Sequence, residues 1–404
     1  MSVPRKRPAR KLGVGDATIG ELEVQYVLDV LRTGRLSYGP YIAAFEQEFA
    51  RWHGRKFAVF CNSGTSALQV ALHALKEKFS WADGDEVLVP AVTFIASSNV
   101  VLQNRLQPVF VDVDPVYYEL DAAQIERHVT PRTRAIMPVH LFGQPCEMDA
   151  IMAAAHQYGL RVIEDSCEAM FVTYRGRPVG SWGDVACFST YVAHLIVTGV
   201  GGLALADDPE LAITLRSLIN HGRDGIYLSA DADNTNDRKA LFEIVDRRFS
   251  FVHVGYSYRA TEMEGALGLA QLRRKDEIVG AHQRNAAYLT AGLRRHEEHL
   301  QLPAVRPDAR HAFMMYPIVV KDPRIDRDAL VRYLEERKVE TRYLMPLLSQ
   351  PAYRRLLGDL EAWYPAARWL TQRGFYIGCH QGLTLEDLDY IIETFEAFFR
   401  EELH

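Results

Sequence analysis

The chain has 404 residues, of which 48% are hydrophobic and 24% charged, so it can bury a large core and is expected to form two domains. A net charge of −6 argues against nucleic acid or an anionic membrane as the main partner, and the apolar runs are too short to span a membrane. The five widely spaced cysteines favour a reduced, cytoplasmic protein without disulfides, and their spacing does not suggest a metal centre.

The predicted elements begin with a basic arm and then alternate between strands and helices. Residues 1–15 are expected to form a flexible arm, and helically spaced apolar residues predict a first helix over Ile19–Leu31. Short apolar runs predict strands over Lys56–Cys61, Glu86–Val89, Gln107–Val111, Ala135–Val139, Arg161–Ile163, Ala186–Ser189 and Gly202–Ala206. Helices are predicted over Ser66–Lys76, Val92–Leu102 and Met148–His156. This alternation is typical of an α/β fold with a mostly parallel sheet covered on both faces.

The second half of the chain has a different pattern. Asp224–Arg248 is polar and is interpreted as a long surface excursion of the chain, that is, a loop. Contact with a partner subunit is one candidate explanation for how this loop would be ordered. A smaller α+β domain is expected after it, so the boundary is placed near residues 255–280, with a large domain over 16–260 and a C-terminal domain over 261–404. The predicted elements here are helices over Ala260–Lys275, Ala281–Glu298, Asp328–Arg337 and Leu385–Phe399 and a strand over Met314–Val320.

Three segments place chemically useful side chains where predicted strands end. Asn62–Ser66 opens a helix, and its glycine, N–H groups and hydroxyls suit a phosphate, although an ordinary helix cap uses the same residue types. Asp165 ends another strand, where a carboxylate can hold a pyridinium N–H or cap the next helix. His194 follows a third strand, just before the glycine-rich turn Thr198–Gly202, and is either catalytic or structural.

These segments and several further motifs occur together in one order. The additional motifs are Gly34–Pro40, Pro90–Phe94, Val111–Asp114, Pro138–Gln144, Asn220–Arg223 and Gly255–Arg259. Over nearly its whole length the chain resembles the DegT/StrS-type family of sugar aminotransferases and dehydratases, which are fold-type-I pyridoxal phosphate (PLP) enzymes. The resemblance implies an α/β fold with a mostly parallel sheet in the large domain and a smaller α+β C-terminal domain. It also implies a homodimer with active sites between the subunits.

The resemblance also implies roles for single residues. Asp165 would pair with the pyridine nitrogen of the cofactor, and Phe94 would stack on its ring instead of serving as an ordinary core aromatic. Glu168 stands where many relatives have a glutamine near the ring hydroxyl. The other expected cofactor contacts are Gly64, Thr65, Ser66, Ser189 and, from the partner subunit, Ser257.

The main departure from the family is His194, which stands where the aminotransferases carry a lysine. An imidazole cannot hold the cofactor covalently, but it can act as a general base. Ala193–Ile196, and Asn220–Asp224 with the insertion after it, resemble a branch of 3-dehydratases that act on 4-keto-6-deoxy sugar nucleotides and depend on pyridoxamine phosphate (PMP). The resemblance therefore implies PLP or PMP bound non-covalently and a nucleotide-sugar substrate.

Within that branch, one group regenerates PMP from glutamate and another uses an iron–sulfur cluster whose cysteines lie in the insertion. Residues 225–236 contain no cysteine, so we favour glutamate and expect no cluster and no other metal. Val200 replaces the acid of the family's Gly-Glu-Gly-Gly turn, and Ser257 replaces an asparagine. These departures leave open an atypical aminotransferase or isomerase, or a non-catalytic cofactor-binding relative.

Four further residues are candidates for the substrate site. His221 and His140 are each as compatible with a structural role as with a role in the site. Arg259 either contacts a substrate phosphate or forms an ion pair at a subunit interface, and the interface is slightly favoured. Arg342 is a weaker candidate of the same kind.

Overall fold

The computed structural model describes residues 8–225 and 236–402. Its helices are α1 Glu21–Thr33, α2 Pro40–Trp52, α3 Gly64–Lys78, α4 Ile95–Gln103, α5 Met148–Tyr158, α6 Pro209–Leu218, α7 Arg238–Arg247, α8 Glu262–Arg273, α9 Lys275–Leu293, α10 Arg327–Glu336, α11 Pro351–Leu357, α12 Pro365–Arg373 and α13 Leu385–Glu402. Its strands are β1 Phe57–Cys61, β2 Glu86–Pro90, β3 Gln107–Val111, β4 Thr133–Ile136, β5 Arg161–Asp165, β6 Thr173–Tyr174, β7 Arg177–Pro178, β8 Val185–Ser189, β9 Gly202–Ala206, β10 Leu300–Gln301, β11 Ala309–Arg310, β12 Tyr316–Val320, β13 Thr341–Tyr343 and β14 Gly374–Ile377.

The central sheet has seven strands in the order β1-β9-β8-β5-β4-β2-β3. Neighbours from β8 to β3 are parallel, whereas β9 runs antiparallel to both β1 and β8. The prediction of an α/β fold with a mostly parallel sheet is therefore confirmed. Six strands point the same way, so their carboxyl ends meet at one edge, which is where ligands bind in open α/β sheets.

A second, antiparallel sheet of four strands, β10-β12-β14-β13, forms the centre of the C-terminal region. It packs against α9, α10 and α13 through a buried apolar cluster that is separate from the clusters around the seven-stranded sheet. This separation agrees with a smaller α+β domain, although the domain boundary itself stays a prediction. A third, small sheet joins β11, β6 and β7.

The N-terminal segment differs from the flexible arm that the sequence suggested. Residues 1–7 lie outside the described part of the chain, but Leu12 is buried and forms a β-bridge with Val339. Arg10 is paired with Asp387 at 2.7 Å. Residues 10–12 are therefore held against the C-terminal region by an ion pair and by burial of an apolar side chain.

The polar stretch Asp224–Arg248 also differs in part from its prediction. Residues 226–235, the centre of the expected excursion, lie outside the described residues. The rest contains α7, which begins where the side chain of Asp237 accepts a hydrogen bond from the N–H of Lys239. Within the described ranges, none of the helices combines the length and the apolarity that crossing a membrane requires.

Candidate active site

The candidate site lies at the carboxyl edge of the central sheet. β5 ends there at Asp165, β8 ends at Ser189, and the antiparallel β9 begins at Gly202. A methyl group on Gly64, at the start of α3, would lie 2.7 Å from the Cβ of Ser189. A methyl group on Gly202 would lie 2.4 Å from the nitrogen of Gly64. The first turn of α3 and the ends of these strands are therefore in direct contact, and the contact requires glycine at both positions.

The predicted phosphate contacts occupy the first turn of α3. The hydroxyl of Ser63 accepts the N–H of Ser66 at 3.0 Å, and the hydroxyl of Ser66 donates to Oδ1 of Asn62 at 2.7 Å. Ser66 is thus used by the helix cap, which was the alternative explanation of this motif. Thr65 is exposed, and the first N–H groups of a helix have no partner within it, so Gly64 and Thr65 remain suited to an anion.

Asp165 is the buried carboxylate of the site, with 4% of its surface exposed. Its Oδ2 accepts the hydroxyl of Ser97 at 2.7 Å, and its Oδ1 accepts the N–H of Cys167 at 3.2 Å. Burial raises the pKa of Asp165, and the two hydrogen bonds act in the opposite direction. A cationic N–H beside this carboxylate would favour its charged form further.

Phe94 is 59% exposed, although it lies in the turn between the fully buried strand β2 and helix α4. Thr93, just before it, and Ser97, in the first turn of α4, are both 1% exposed. An exposed aromatic side chain at this edge presents a face that a planar ring can cover. The exposure agrees with the predicted stacking role and disagrees with an ordinary core aromatic.

Glu168 is a second buried carboxyl group, three residues after Asp165. Its Oε2 accepts the N–H of Phe142 at 2.9 Å. Burial raises the pKa of Glu168 to about 7, so a large fraction of the carboxyl groups carries a proton near neutral pH. A protonated carboxyl group donates a hydrogen bond, as an amide does, so Glu168 can fill the predicted place near the ring hydroxyl.

His140 is structural. Its Nδ1 accepts the N–H of Cys146 at 3.0 Å, so the ring proton lies on Nε2, which contacts Oε2 of Glu164 at 3.3 Å. Glu164 also accepts N–H groups from Gly180, Trp182 and Gly183. Both ring nitrogens of His140 therefore form contacts inside the core, and a structural role describes this residue better than a role in the site.

His194 lies in the loop between β8 and β9. It is half-buried, its backbone N–H donates to the carbonyl of Tyr191 at 2.9 Å, and burial lowers the pKa of the imidazole to about 4. The imidazole is therefore neutral near pH 7 and can accept a proton. Backbone hydrogen bonds of 2.9 Å from Thr190 to Gly201 and from Thr198 to Thr190 join the two ends of the loop.

Three of the remaining candidates form one polar cluster near the end of β1. Arg259 forms a β-bridge with Cys61, and its Nη2 lies 3.3 Å from the hydroxyl of Ser257 and 3.5 Å from Nε2 of His221. The cluster is cationic and partly exposed, which suits an anionic group of a ligand. Arg342 lies elsewhere, on β13, where it is paired with Glu340 at 2.5 Å.

These residues fit a PLP-type cofactor. Two buried polar atoms at the sheet edge, Oγ of Ser166 and Nδ1 of His194, have no hydrogen-bond partner within the described part of the chain. Such atoms are rare in folded proteins because an unpaired buried polar group is costly, and a bound ligand is one way to satisfy them. No group of three or more metal-binding side chains is found among residues 8–225 and 236–402.

Sequence reasoning missed Ser97 and Thr93, whose hydroxyls are 2.8 Å apart. Thr93 lies just before Phe94 and Ser97 lies in the first turn of α4, and Ser97 contacts Asp165 although the two are 68 positions apart in the chain. The available signal was the spacing of four residues between two hydroxyls at a helix start, which places both side chains on one face.

Comparison with known proteins gives consistent matches over nearly the whole chain. Residues 17–396 match the model of the DegT/DnrJ/EryC1/StrS aminotransferase family. A GDP-perosamine synthase of Caulobacter vibrioides is 38% identical over 378 residues, which cover 93% of this chain and 94% of that protein. A dTDP-4-dehydro-2,6-dideoxy-D-glucose 3-dehydratase of Saccharopolyspora spinosa is 35% identical over 377 residues, covering 90% and 81%. The solved structure of GDP-4-keto-6-deoxy-D-mannose-3-dehydratase of E. coli with bound hydrated PLP is similar with a TM-score of 0.85 and 26% identity, covering 95% of this chain and 99% of that one.

Proposed function

The chain belongs to the DegT/DnrJ/EryC1/StrS aminotransferase family, and from this premise we propose that it removes the C3 hydroxyl group from a nucleotide-linked 4-keto-6-deoxy sugar. The single observation that carries the proposal is His194, which stands in place of the family's lysine in a site that otherwise keeps the cofactor frame. Similarity to two 3-dehydratases supports this choice.

PLP and PMP belong to one family of cofactors, whose ring serves as an electron sink and whose amine form can condense with a keto group of the substrate. Asp165 holds the ring nitrogen in its protonated form, Phe94 covers one face of the ring, and Glu168 donates to the ring hydroxyl. Gly64, Thr65 and Ser189 hold the phosphate. No lysine ties the cofactor to the chain at position 194, so PLP and PMP bind non-covalently.

His194 acts as the general base. It takes the proton from the cofactor carbon that bears the amine, because its imidazole is neutral near pH 7 and lies at the same sheet edge as Asp165. When bound, the cofactor ring would supply the electron sink that makes this proton removable, so that the C3–O bond of the sugar can break and the oxygen can leave as water. The cationic cluster of His221, Ser257 and Arg259 is assigned to anionic groups of the ligands, Ser257 to the cofactor phosphate across a subunit interface.

Replacing a C–O bond by a C–H bond at C3, with the ketone restored at C4, consumes two electrons. Glutamate, as the amino donor, would supply these two electrons and leave as 2-oxoglutarate. The amino group that reaches the sugar is released as ammonia when the ketone forms again. The proposed reaction therefore yields one 2-oxoglutarate and one ammonia for each hydroxyl lost.

The test uses purified protein with PMP, glutamate and either a GDP-linked or a dTDP-linked 4-keto-6-deoxy sugar. We expect loss of the C3 hydroxyl by mass spectrometry, with equal amounts of ammonia and 2-oxoglutarate. His194→Ala should lower turnover at least about 100-fold, the usual loss for a general base. His156→Ala, an exposed histidine of α5, is the matched control and should leave turnover unchanged. Full activity of His194→Ala would refute the assigned role.

An atypical sugar aminotransferase is the second candidate, favoured by the 38% identity with a GDP-perosamine synthase. In that case the C3 hydroxyl remains, 2-oxoglutarate forms without ammonia, and nitrogen from labelled glutamate appears in an isolable amino sugar. A chain that binds neither PLP nor PMP in a spectral titration would instead be a non-catalytic relative.

A further inference from the structure

The hydroxyl of Ser97 lies at the centre of a short buried chain of polar groups. It lies 2.7 Å from Oδ2 of Asp165 and 2.8 Å from Oγ1 of Thr93. Ser97 and Thr93 are each 1% exposed, and Asp165 is 4% exposed, so bulk water does not compete for these bonds. The direction and geometry of these hydrogen bonds are therefore determined by the protein and not by solvent.

The direction of this chain follows from proton counting. An ionised carboxylate only accepts hydrogen bonds, and Oδ2 of Asp165 lies 2.7 Å from the Ser97 hydroxyl whereas the other acceptor, the carbonyl oxygen of Phe94, lies 3.3 Å away. The one hydroxyl proton of Ser97 therefore points to Asp165. The oxygen of Ser97 is then free to accept, and Thr93 is left to donate to it. The order of donation is Thr93 to Ser97 to Asp165, and each bond polarises the next one.

We propose that Ser97 is a positioning residue that keeps Asp165 ionised and oriented toward the ring nitrogen of a bound pyridoxal-type cofactor. The inference rests on the proposed function, since it requires that PLP or PMP occupies this site. On this inference, the ring nitrogen is bound by a hydrogen-bonded relay of Thr93, Ser97 and Asp165, and not by the carboxylate of Asp165 alone.

Two observations besides these hydrogen bonds support the positioning role of Ser97. Burial raises the pKa of Asp165, and the hydrogen bond from Ser97 is the foremost contact that opposes this effect. The N–H of Ser97 also donates to the carbonyl of Phe94 at 3.2 Å. The same turn therefore fixes both the aromatic side chain that covers the ring and the donor that holds the carboxylate.

The experiment measures equilibrium binding, not turnover. Affinities are determined by spectral titration for PMP and for a PMP analogue in which a C–H group replaces the ring nitrogen. The wild-type chain should bind PMP more tightly than the analogue. Ser97→Ala should lose about tenfold in PMP affinity, as expected for one charge-assisted hydrogen bond, and should bind the analogue as the wild type does.

Ser98→Ala is the matched control, because Ser98 is the adjacent serine, is fully buried and is not a hydrogen-bond partner of Asp165. Its preference for PMP over the analogue should equal that of the wild type. If Ser97→Ala does not fold, Thr93→Val makes the same comparison, with an expected loss of about threefold because it removes only the second bond of the relay.

Equal weakening of both ligands in Ser97→Ala, or no weakening of either, would overturn the inference while leaving the proposed function intact. A wild-type chain that binds PMP and the analogue equally well would also overturn it. Binding of neither ligand by the wild type would refute the proposed function, and the inference with it.

Discussion

His194 and Asp165 show opposite effects of burial at one sheet edge. Burial disfavours the charged form of both, so it lowers the pKa of the imidazole and raises the pKa of the carboxyl group. Hydrogen bonds oppose the effect at both residues, from Ser97 and Cys167 at Asp165 and with the backbone of Tyr191 at His194. Burial therefore favours the neutral imidazole at His194, whereas the hydrogen bonds to Asp165 favour its charged form, and such a separation of protonation states is a common basis for acid–base chemistry.

The pH dependence of turnover tests the state of His194. Because the pKa of its imidazole is lowered to about 4, the base is fully available above about pH 5 and is lost as the pH falls through 4. We therefore expect kcat for loss of the C3 hydroxyl, measured with saturating PMP and substrate, not to fall as the pH is lowered from about 7 to about 5, a range in which Glu168 gains its proton and does not lose it. A decline centred near 6.5, the ordinary value for histidine, would show that burial does not control this group.

The sequence predicted the sheet edge at which Gly64, Asp165 and Ser189 lie better than it predicted the partners of these residues. Gly64, Asp165 and Ser189 meet because carboxyl ends of parallel strands share one edge, and this follows from strand order in any such sheet. The contact between Ser97 and Asp165 could not be predicted in the same way, because it depends on the packing of two segments 68 positions apart. Arg342 is separated from the other candidates by its position on β13.

At the scale of elements, strands were predicted more accurately than helix starts. β3 and β9 occupy the residues that their apolar runs predicted, since a buried strand is marked by continuous apolar sequence. The helix predicted over Val92–Leu102 begins only at Ile95, because the residues before it form the turn that carries Phe94. Helix α2 was missed, and its first turn is stabilised by a side chain from a distant helix.

That side chain is Glu262 of α8, whose carboxylate accepts the N–H groups of Gly39, Tyr41 and Ile42 at 3.0, 2.5 and 3.2 Å. Glu262 is 1% exposed, so Glu262→Ala leaves these donors without a partner in the core. We expect a loss of about 3 kcal/mol or more in the free energy of unfolding, measured by urea denaturation.

Glu264→Ala is the control for Glu262→Ala. Glu264 lies on the same helix but accepts only the N–H of Thr261, in a capping box, so its removal should cost about 1 kcal/mol. Equal losses for the two variants would mean that the cap of α2 contributes little to stability.

The segment before α1 is predicted to influence the loop that carries His194. A methyl group on Gly15 would lie 2.7 Å from the Cα of Ala193, so Gly15→Ala must displace one of the two backbones. We expect turnover to fall about tenfold or more, because small misplacements of a base are costly, with PMP affinity preserved.

Gly280→Ala on α9 is the control, since the added methyl meets only the flexible end of Arg284, at 3.2 Å. It should leave turnover and affinity unchanged. Wild-type turnover in Gly15→Ala would show that the N-terminal segment does not help to place His194.

At the scale of the whole molecule, the two main sheets are linked both by apolar packing, since Val319 and Tyr376 belong to the cluster around the central sheet, and by polar contacts. Asp112, just after β3, accepts the N–H groups of Ala366 and Ala367 at 3.0 and 2.9 Å and so caps α12. The fold class was predictable from the strand–helix alternation and the order of motifs along the chain. Contacts such as the one between Asp112 and α12 were not predictable, because no local sequence pattern identifies either partner.

The homodimer stays a prediction. A mixing experiment tests the more specific prediction that each active site contains residues of both subunits. If Ser257 of one subunit serves the site that contains His194 of the other, His194→Ala and Ser257→Trp chains can form a mixed dimer with one intact site. After unfolding and refolding together in equal amounts, the two inactive variants should recover about a quarter of wild-type turnover, because half of the dimers are mixed.

A matched sample in which the two variants are refolded separately and then combined should stay inactive unless subunits exchange. Absence of recovery, with dimers present by analytical ultracentrifugation, would show that each site is built from one chain. Exposed apolar side chains on α1, at Val24, Leu28 and Leu31, agree with a face that an assembly partner covers.

The reversed direction of β9 has a consequence for how this scaffold can diversify. Since β8 ends at the carboxyl edge of the sheet and β9 begins there, the intervening segment is held at both ends by strands that pair over residues 186–189 and 202–205. Its interior can therefore be exchanged as a cassette without altering strand register. Chimeras that receive this segment from a relative should keep the architecture while acquiring the reactivity of the donor.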